Sequence, residues 1–194
     1  MFLANPQLLL SGNKMNTLIP SEDQLRSLLE HYQKGRFSEA EKLAISLTQQ
    51  FPKHQFSWKV LGALFKQTGR LNESLITNQK SVQLSPDDAT AHSNLGITLK
   101  ELGRLDEALA SYNQAIALKP DLAEAHYNLG NIFKELGKLD DAEASYNQAI
   151  AFKPDYAEAH SNLGITLKEL GRLDKALASY NQAIAFKPDY AEAH

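Results

Sequence analysis

The sequence predicts an all-α solenoid, in which one pair of helices is repeated along the chain. Five of the seven prolines are spaced 34 residues apart, at Pro52, Pro86, Pro120, Pro154 and Pro188. Nine of the ten glycines form two more series with the same spacing, at Gly62, Gly96, Gly130 and Gly164 and at Gly35, Gly69, Gly103, Gly137 and Gly171. Glycine and proline are the strongest breakers of regular structure, so one supersecondary unit begins again at each interval.

This repeat also predicts the domain organisation. Five units occupy residues 21–54, 55–88, 89–122, 123–156 and 157–190, and residues 191–194 begin a truncated sixth unit. The units 89–122 and 157–190 are identical at 30 of 34 positions, so the same pattern of contacts is expected in both. We expect residues 1–20 to precede the repeats as a poorly ordered leader.

The first helix of a unit is well illustrated by residues 123–156. It is predicted to begin at Asp121, because Glu124 follows three residues later in the spacing of a capping box. Gly137 should end it, since glycine readily adopts the left-handed conformation that commonly follows a helix. Between them, apolar or small residues recur at helical spacing and predict one buried face: His126, Leu129, Gly130, Phe133 and Leu136.

The second helix of this unit is predicted to begin near Asp140 and to end before Pro154, which cannot continue the helical hydrogen bonds. Its predicted buried residues are Ala142, Tyr146, Ala149 and Ile150. Gly130 lies on the facing side of the first helix, where a Cβ would obstruct the partner. The two helices of the unit are therefore expected to pack closely.

The first unit departs most from this pattern. Leu28 occupies the position of Gly130, which predicts a looser contact between its two helices. Its start is clearly marked, because Pro20 precedes Ser21 and Gln24 follows three residues later, again in the spacing of a capping box.

Two strings make the chain resemble the tetratricopeptide repeat (TPR) family over residues 21–190, namely Trp58-x-x-Leu61-Gly62-x-x-Phe65 and His126-x-x-Leu129-Gly130-x-x-Phe133. The resemblance implies a right-handed superhelix whose first helices line a concave surface. The string Ala-His-x-Asn-Leu-Gly is similar, more narrowly, to the repeats of protein O-GlcNAc transferases and related bacterial TPR proteins. Ser74, Asn78 and Ser81 depart from the family pattern, which predicts a less tightly packed second helix in the second unit.

Composition narrows the classes of partner. A formal net charge of −3 and a pI of about 6.1 give no electrostatic footprint for nucleic acid or for an anionic membrane surface. No stretch of the sequence reaches the ~20 apolar residues that span a membrane. The absence of cysteine excludes disulfides and thiolate chemistry. We therefore expect a cytoplasmic protein that binds neither nucleic acid nor membrane.

No group of residues indicates catalysis. The histidines His92, His126, His160 and His194 recur every 34 residues at the packing position of Trp58. Stacked helices lie about 8–10 Å apart, too far for these side chains to meet at one zinc ion. The acidic residues are typical of helix starts and solvated faces, and no P-loop, HExxH, GxSxG or EF-hand motif is present. The sequence predicts no catalytic residue, no cofactor and no metal site.

One periodic feature is left unexplained by packing. Asn94, Asn128 and Asn162 recur on the first helices, about 100° around each helix from the buried leucines. An amide is both donor and acceptor, and the resemblance to O-GlcNAc transferase repeats implies that such a ladder binds the backbone of an extended peptide. The predicted groove also contains Asn131, Glu101, Glu135 and Glu169. The alternative is that asparagine is merely a tolerated polar residue there.

The predicted function is a non-catalytic protein-interaction scaffold that binds an extended peptide or a partner helix in a concave groove. The alternative is the N-terminal, substrate-recruiting region of a larger enzyme, such as an O-GlcNAc-transferase-like glycosyltransferase. We also expect weak self-association through the last unit, where Tyr180, Ala183 and Ile184 have no following helix to cover them.

Overall fold

A computed structural model of the chain describes residues 19–187. Most of the predicted leader, the start of the sixth unit and Pro188 lie outside this range. The range contains ten helices and no strand, which confirms the all-α prediction. The helices are α1 (Glu22–Gln33), α2 (Phe37–Gln50), α3 (Gln55–Gln67), α4 (Leu71–Leu84), α5 (Ala89–Glu101), α6 (Leu105–Leu118), α7 (Ala123–Glu135), α8 (Leu139–Phe152), α9 (Ala157–Glu169) and α10 (Leu173–Phe186).

The helices form five antiparallel pairs that stack in chain order. Each odd-numbered helix packs against the helix that follows it, and each even-numbered helix packs against the first helix of the next pair. Neighbouring odd-numbered helices also approach one another, whereas neighbouring even-numbered helices do not within the described range. Because the odd-numbered helices are closer together, they line the inner, concave side of the stack, and the even-numbered helices form its outer side.

The turn inside each pair is made by a glycine in the left-handed conformation. Gly137 has a φ of 70°, and the four glycines at equivalent positions have φ between 68° and 74°. The amide of Gly137 donates to the carbonyl of Lys134 and that of Lys138 to the carbonyl of Phe133, at 3.0 and 2.8 Å. This is the Schellman arrangement, so the predicted end of the first helix is confirmed.

Close packing within a pair depends on the glycine of the first helix and the tyrosine of the second. A Cβ added to Gly130 would lie 2.7 Å from Cε1 of Tyr146, closer than two carbon atoms can approach. Ala142, Tyr146 and Ala149 are all 0% exposed, as the sequence predicts. The assignment of Leu136 to the buried face is wrong, since Leu136 is 41% exposed at the end of α7.

The helix starts follow the sequence less closely. Ser21 and Gln24 form the predicted capping box of α1, but the box predicted at Asp121 and Glu124 is wrong. α7 begins at Ala123 after Leu122, whose side chain makes no capping bond and packs into the core instead. An apolar contact therefore replaces a polar cap at this position.

Asp88 occupies the equivalent position before α5 and does cap its helix. Its Oδ1 accepts hydrogen bonds from the amides of Thr90 and Ala91, and its Oδ2 from Lys59 and Gln55 of α3. Burial opposes ionisation of this carboxyl, but the hydrogen bonds outweigh burial and hold the pKa of Asp88 below its usual value. Asp88 thus joins the second unit to the third as a carboxylate.

The polar residues of α4 are buried, and α4 as a whole is not loosely packed. Ser74 and Ser81 are 0% exposed and Asn78 is 2% exposed. Ser74 Oγ donates to the carbonyl of Gly62 at 2.9 Å, and Ser81 Oγ accepts from Gln55 at 2.9 Å. The predicted loss of packing is confined to a cavity beside Asn78.

The side of α10 that corresponds to the covered side of α6 is apolar and exposed. Leu173 and Leu177 are 64% and 62% exposed and Ile184 is 41% exposed, whereas Leu105 and Leu109 in α6 are half-buried beneath the next pair. The predicted exposure of Ile184 is confirmed. The prediction for Ala183 is wrong, since Ala183 is only 2% exposed, and the exposure of the two leucines was not predicted.

Candidate functional site

The periodic histidines hold the loop before each first helix. Nε2 of His126 donates to the carbonyl of Pro120 at 2.9 Å, and the His126 ring stacks on Phe152 with 5.5 Å between centroids. His92 and His160 bond in the same way to Pro86 and Pro154. Within residues 19–187, no group of three histidine or acidic side chains is placed to hold a metal ion. The histidines therefore act in packing.

The predicted groove residues lie on the three neighbouring inner helices α5, α7 and α9. The asparagines Asn94, Asn128, Asn131 and Asn162 are all half-buried. The glutamates Glu101, Glu135 and Glu169 are exposed at the ends of the same helices. The structure thus places all seven on inner helices but brings only some of them into contact.

A hydrogen-bonded network joins α7 to α8 and α9. Asn162 Nδ2 donates to the hydroxyl of Tyr127 at 3.0 Å and to Oδ1 of Asn131 at 2.9 Å. The same Oδ1 accepts the hydroxyl hydrogen of Tyr146 at 2.8 Å. Tyr127 also packs on the rings of Tyr146 and Tyr156, with centroid distances of 6.0 and 4.9 Å. Two of the four groove asparagines are therefore held rigidly by their neighbours.

The network changes what these asparagines can offer a ligand. Both amide hydrogens of Asn162 are used, and its Oδ1 is left as an acceptor. Both lone pairs of Asn131 Oδ1 are used, and its Nδ2 is left as a donor. The side chains of Asn94 and Asn128 make no hydrogen bond within the described part of the chain. The three-asparagine ladder is thus not uniform, since only Asn94 and Asn128 present whole amides.

The charged residues of the groove are mostly unpaired. Lys66 Nζ lies 3.6 Å from Glu101 Oε1, and both side chains are partly exposed, so this pair contributes little stability. Glu135 and Glu169 form no ion pair with the residues that the structure describes. The groove therefore carries exposed carboxylates beside the asparagine series.

The buried tyrosines of the third and fourth units differ in one hydrogen bond. Burial raises the pKa of both Tyr112 and Tyr146, so both phenols are neutral at physiological pH. Tyr146 bonds to Asn131, but Ile97 occupies the equivalent position in the third unit, and the Tyr112 hydroxyl has no partner among the described residues. One hydroxyl is satisfied and the other is not.

This difference predicts opposite effects of the same substitution. Tyr146→Phe is expected to lower the free energy of unfolding by about 1 kcal/mol, because it removes a hydrogen bond. Tyr112→Phe is expected to raise it by up to about 1 kcal/mol, because it removes a buried, unpaired hydroxyl. Urea denaturation of the two variants measures both effects, and changes of the same sign and size would contradict this account.

A cavity beside the groove residue Asn94 was not predicted from the sequence. A cavity of about 120 Å³ lies between α1, α3, α4 and α5. Its walls are formed by Tyr32, Ala63, Lys66, Gln67, Asn78, Asn94, Ile97 and Thr98. The signal that could have revealed it is Asn78, which replaces the large tyrosine found at this position in the three later units.

The fold and the groove define a helical-repeat scaffold. Models of the TPR repeat and the tetratricopeptide repeat match residues 98–137 and 130–171, 157–190 and 77–110, which together span 77–190. This span is more than half of the chain. The chain belongs to the tetratricopeptide repeat family.

Solved structures of TPR proteins show the same architecture. TTC0263 from Thermus thermophilus is 28% identical with a TM-score of 0.70, over 86% of this chain and 91% of its own. MamA from Desulfovibrio magneticus RS-1 is 16% identical with a TM-score of 0.74, over 86% and 94%. YrrB, a TPR protein with an unusual peptide-binding site, is 19% identical with a TM-score of 0.68, over 89% of each chain. These likenesses confirm the repeat solenoid.

No curated protein matches this chain. The narrower similarity to O-GlcNAc transferase repeats therefore gains no support from the comparisons. In the described range, none of the helices is long and apolar enough to cross a membrane.

Proposed function

We propose that the concave groove binds an extended peptide segment of a partner protein, with the inner-helix asparagines pairing with the peptide backbone. The observation that carries this proposal is the pair of unengaged amides of Asn94 and Asn128, one repeat apart on the inner face. Packing does not account for them, because their side chains bond to nothing in the described range. A half-buried amide without a partner is costly unless water or a ligand satisfies it.

The network on α9 extends the same surface. Asn162 Oδ1 and Asn131 Nδ2 are an acceptor and a donor whose positions are set by Tyr127 and Tyr146. A peptide unit also offers one donor and one acceptor. Since these two amides are already ordered, binding to them costs less conformational entropy than binding to mobile side chains.

The fold itself accommodates this function. YrrB, which shares the solenoid, is described as having a peptide-binding site. Recognition through the peptide backbone explains how a series of identical asparagines could bind one ligand, because the asparagine of each repeat would meet the same chemical group, a peptide unit. An extended ligand is favoured over a helical one, whose backbone groups are already paired with one another.

The binding face can be mapped by NMR. A peptide selected from a random-sequence display library on the intact chain is titrated while the side-chain NH₂ resonances are followed. The resonances of Asn94 and Asn128 are expected to shift. Asn113, Asn147 and Asn181 have the same 34-residue spacing on the outer helices and are exposed, so they are the internal control. Shifts confined to these outer asparagines would contradict the proposal.

A further inference from the structure

The cavity of the groove occupies the place of a missing aromatic ring. In the fourth unit, the Tyr146 ring lies against Gly130 and its hydroxyl reaches Asn131, which is bonded to Asn162 of the next unit. The residues of the second unit that are equivalent to Gly130 and Asn131 are Gly62 and Ala63, and the residue of the third unit that is equivalent to Asn162 is Asn94. Ala63 and Asn94 both line the cavity. The space therefore corresponds to the phenol that Asn78 lacks.

The helices do not close over this space. Asn78 holds α4 to α5 through a hydrogen bond from its Nδ2 to Thr98 Oγ1 at 3.0 Å. Ser74 Oγ lies 3.0 Å from the same Thr98 oxygen and donates to the carbonyl of Gly62. These polar contacts hold α4 against α3 and α5 while the ring itself is absent.

The size and lining of the cavity suit a single six-membered ring. Its volume is about 120 Å³, and an engineered protein cavity of about 150 Å³ binds benzene. Tyr32, Ala63 and Ile97 provide apolar wall. Asn78 Oδ1 is buried without a hydrogen-bond partner in the described range, on a side chain that is 2% exposed.

Seven of the eight residues that line the cavity belong to the inner helices α1, α3 and α5. Lys66 and Gln67 occupy the same positions on α3 as Lys100 and Glu101 on α5, and Asn94 belongs to the proposed ladder. A peptide that pairs with Asn94 would therefore pass directly over the opening.

We propose that this cavity binds the aromatic side chain of a phenylalanine or tyrosine in the bound peptide. The ring would fill the space that the Tyr146 ring fills in the fourth unit. That the ring belongs to a bound peptide rests on the proposed peptide-binding function, but the binding of an aromatic ring in the cavity does not. The groove would thus combine sequence-independent backbone contacts with one site that selects an aromatic residue.

The test uses p-cresol, the side-chain analogue of tyrosine, with the full chain. At millimolar concentration p-cresol is expected to shift the methyl resonances of Ala63, Ile97 and Thr98. Asn78→Tyr fills the cavity from within and should weaken p-cresol binding at least tenfold. Asn113→Tyr makes the same change on the exposed outer face of α6 and should leave binding unchanged. Ala63→Leu fills the cavity from the opposite wall and serves as a second variant should Asn78→Tyr fail to fold.

The outcomes separate the two proposals. The aromatic site would be overturned if p-cresol did not bind, or if the parent, Asn78→Tyr and Ala63→Leu bound it equally. This holds even where the peptide shifts the resonances of Asn94 and Asn128. Binding of p-cresol that only the two cavity-filling variants abolish would support the site, and peptide titration then decides separately whether the backbone contacts exist.

Discussion

Gly130→Leu is expected to lower the free energy of unfolding by about 3 kcal/mol, the largest effect on stability that we predict for a single substitution. A Cβ at this position alone would come within 2.7–3.1 Å of three atoms of the Tyr146 ring. The ring has no room to move, because Tyr146 is 0% exposed and its hydroxyl is bonded to Asn131. The better helix propensity of leucine recovers only about 1 kcal/mol.

Ala144→Leu is the matched control for this substitution. Ala144 lies on α8, two residues before Tyr146, and is exposed, so a leucine there meets solvent. Urea denaturation followed by circular dichroism should show a large loss of stability for Gly130→Leu and a change within about 0.5 kcal/mol for Ala144→Leu. Equal stability of the two variants would show that the helices can separate at little cost.

The parts of the fold that sequence reasoning predicted correctly depend on backbone constraints. Gly137 and its equivalents are needed at positive φ, and Gly130 is needed where Tyr146 crosses. Both requirements are local and recur in several units, and few residue types other than glycine can meet them. The pattern of glycines therefore predicts the helix pairs and their close contact without knowledge of the tertiary structure.

The features that sequence reasoning missed depend on residues that differ between units. Asn162 looks equivalent to Asn128 in the repeat pattern, yet it is engaged because Tyr127 and Asn131 lie beside it, where the third unit has Ser93 and Ile97. Such contacts cross from one unit to the next. A comparison of equivalent positions does not show these contacts between units. It therefore cannot distinguish an amide that is hydrogen-bonded from one that is free.

The helix starts are also predicted incompletely from the sequence, because they depend on tertiary contacts. Asp121 and Glu124 have the spacing of a capping box, but the turn between Lys119 and Leu122 moves the start of α7 to Ala123. Leu122 gains burial against the core that a capping residue would lack. A polar cap is worth about 1 kcal/mol, which burial of a leucine can exceed.

Replacing all three ladder asparagines with alanine is expected to weaken peptide binding about a hundredfold. Each lost hydrogen bond contributes about 1 kcal/mol net, and a total of about 3 kcal/mol corresponds to roughly two factors of ten. Asn94→Ala and Asn128→Ala should not affect stability, because neither side chain bonds within the described range. Asn162→Ala should lower the melting temperature modestly, because it breaks the bonds to Tyr127 and Asn131.

The outer face of the same chain supplies the control for this change. Asn113, Asn147 and Asn181 recur at the same interval on α6, α8 and α10 and are exposed. The outer triple alanine variant removes the same number of amides from equally helical positions. Circular dichroism should show that both triple variants remain helical.

The most direct test of the groove is the dissociation constant of one selected peptide for the parent chain and the two triple variants, measured by fluorescence anisotropy. Recognition by the ladder predicts a dissociation constant about a hundredfold higher for the variant with Asn94, Asn128 and Asn162 changed to alanine. It predicts an unchanged value for the outer variant. Equal affinity of all three chains, with helicity retained, would show that the concave asparagines are ordinary surface and that the partner is recognised elsewhere.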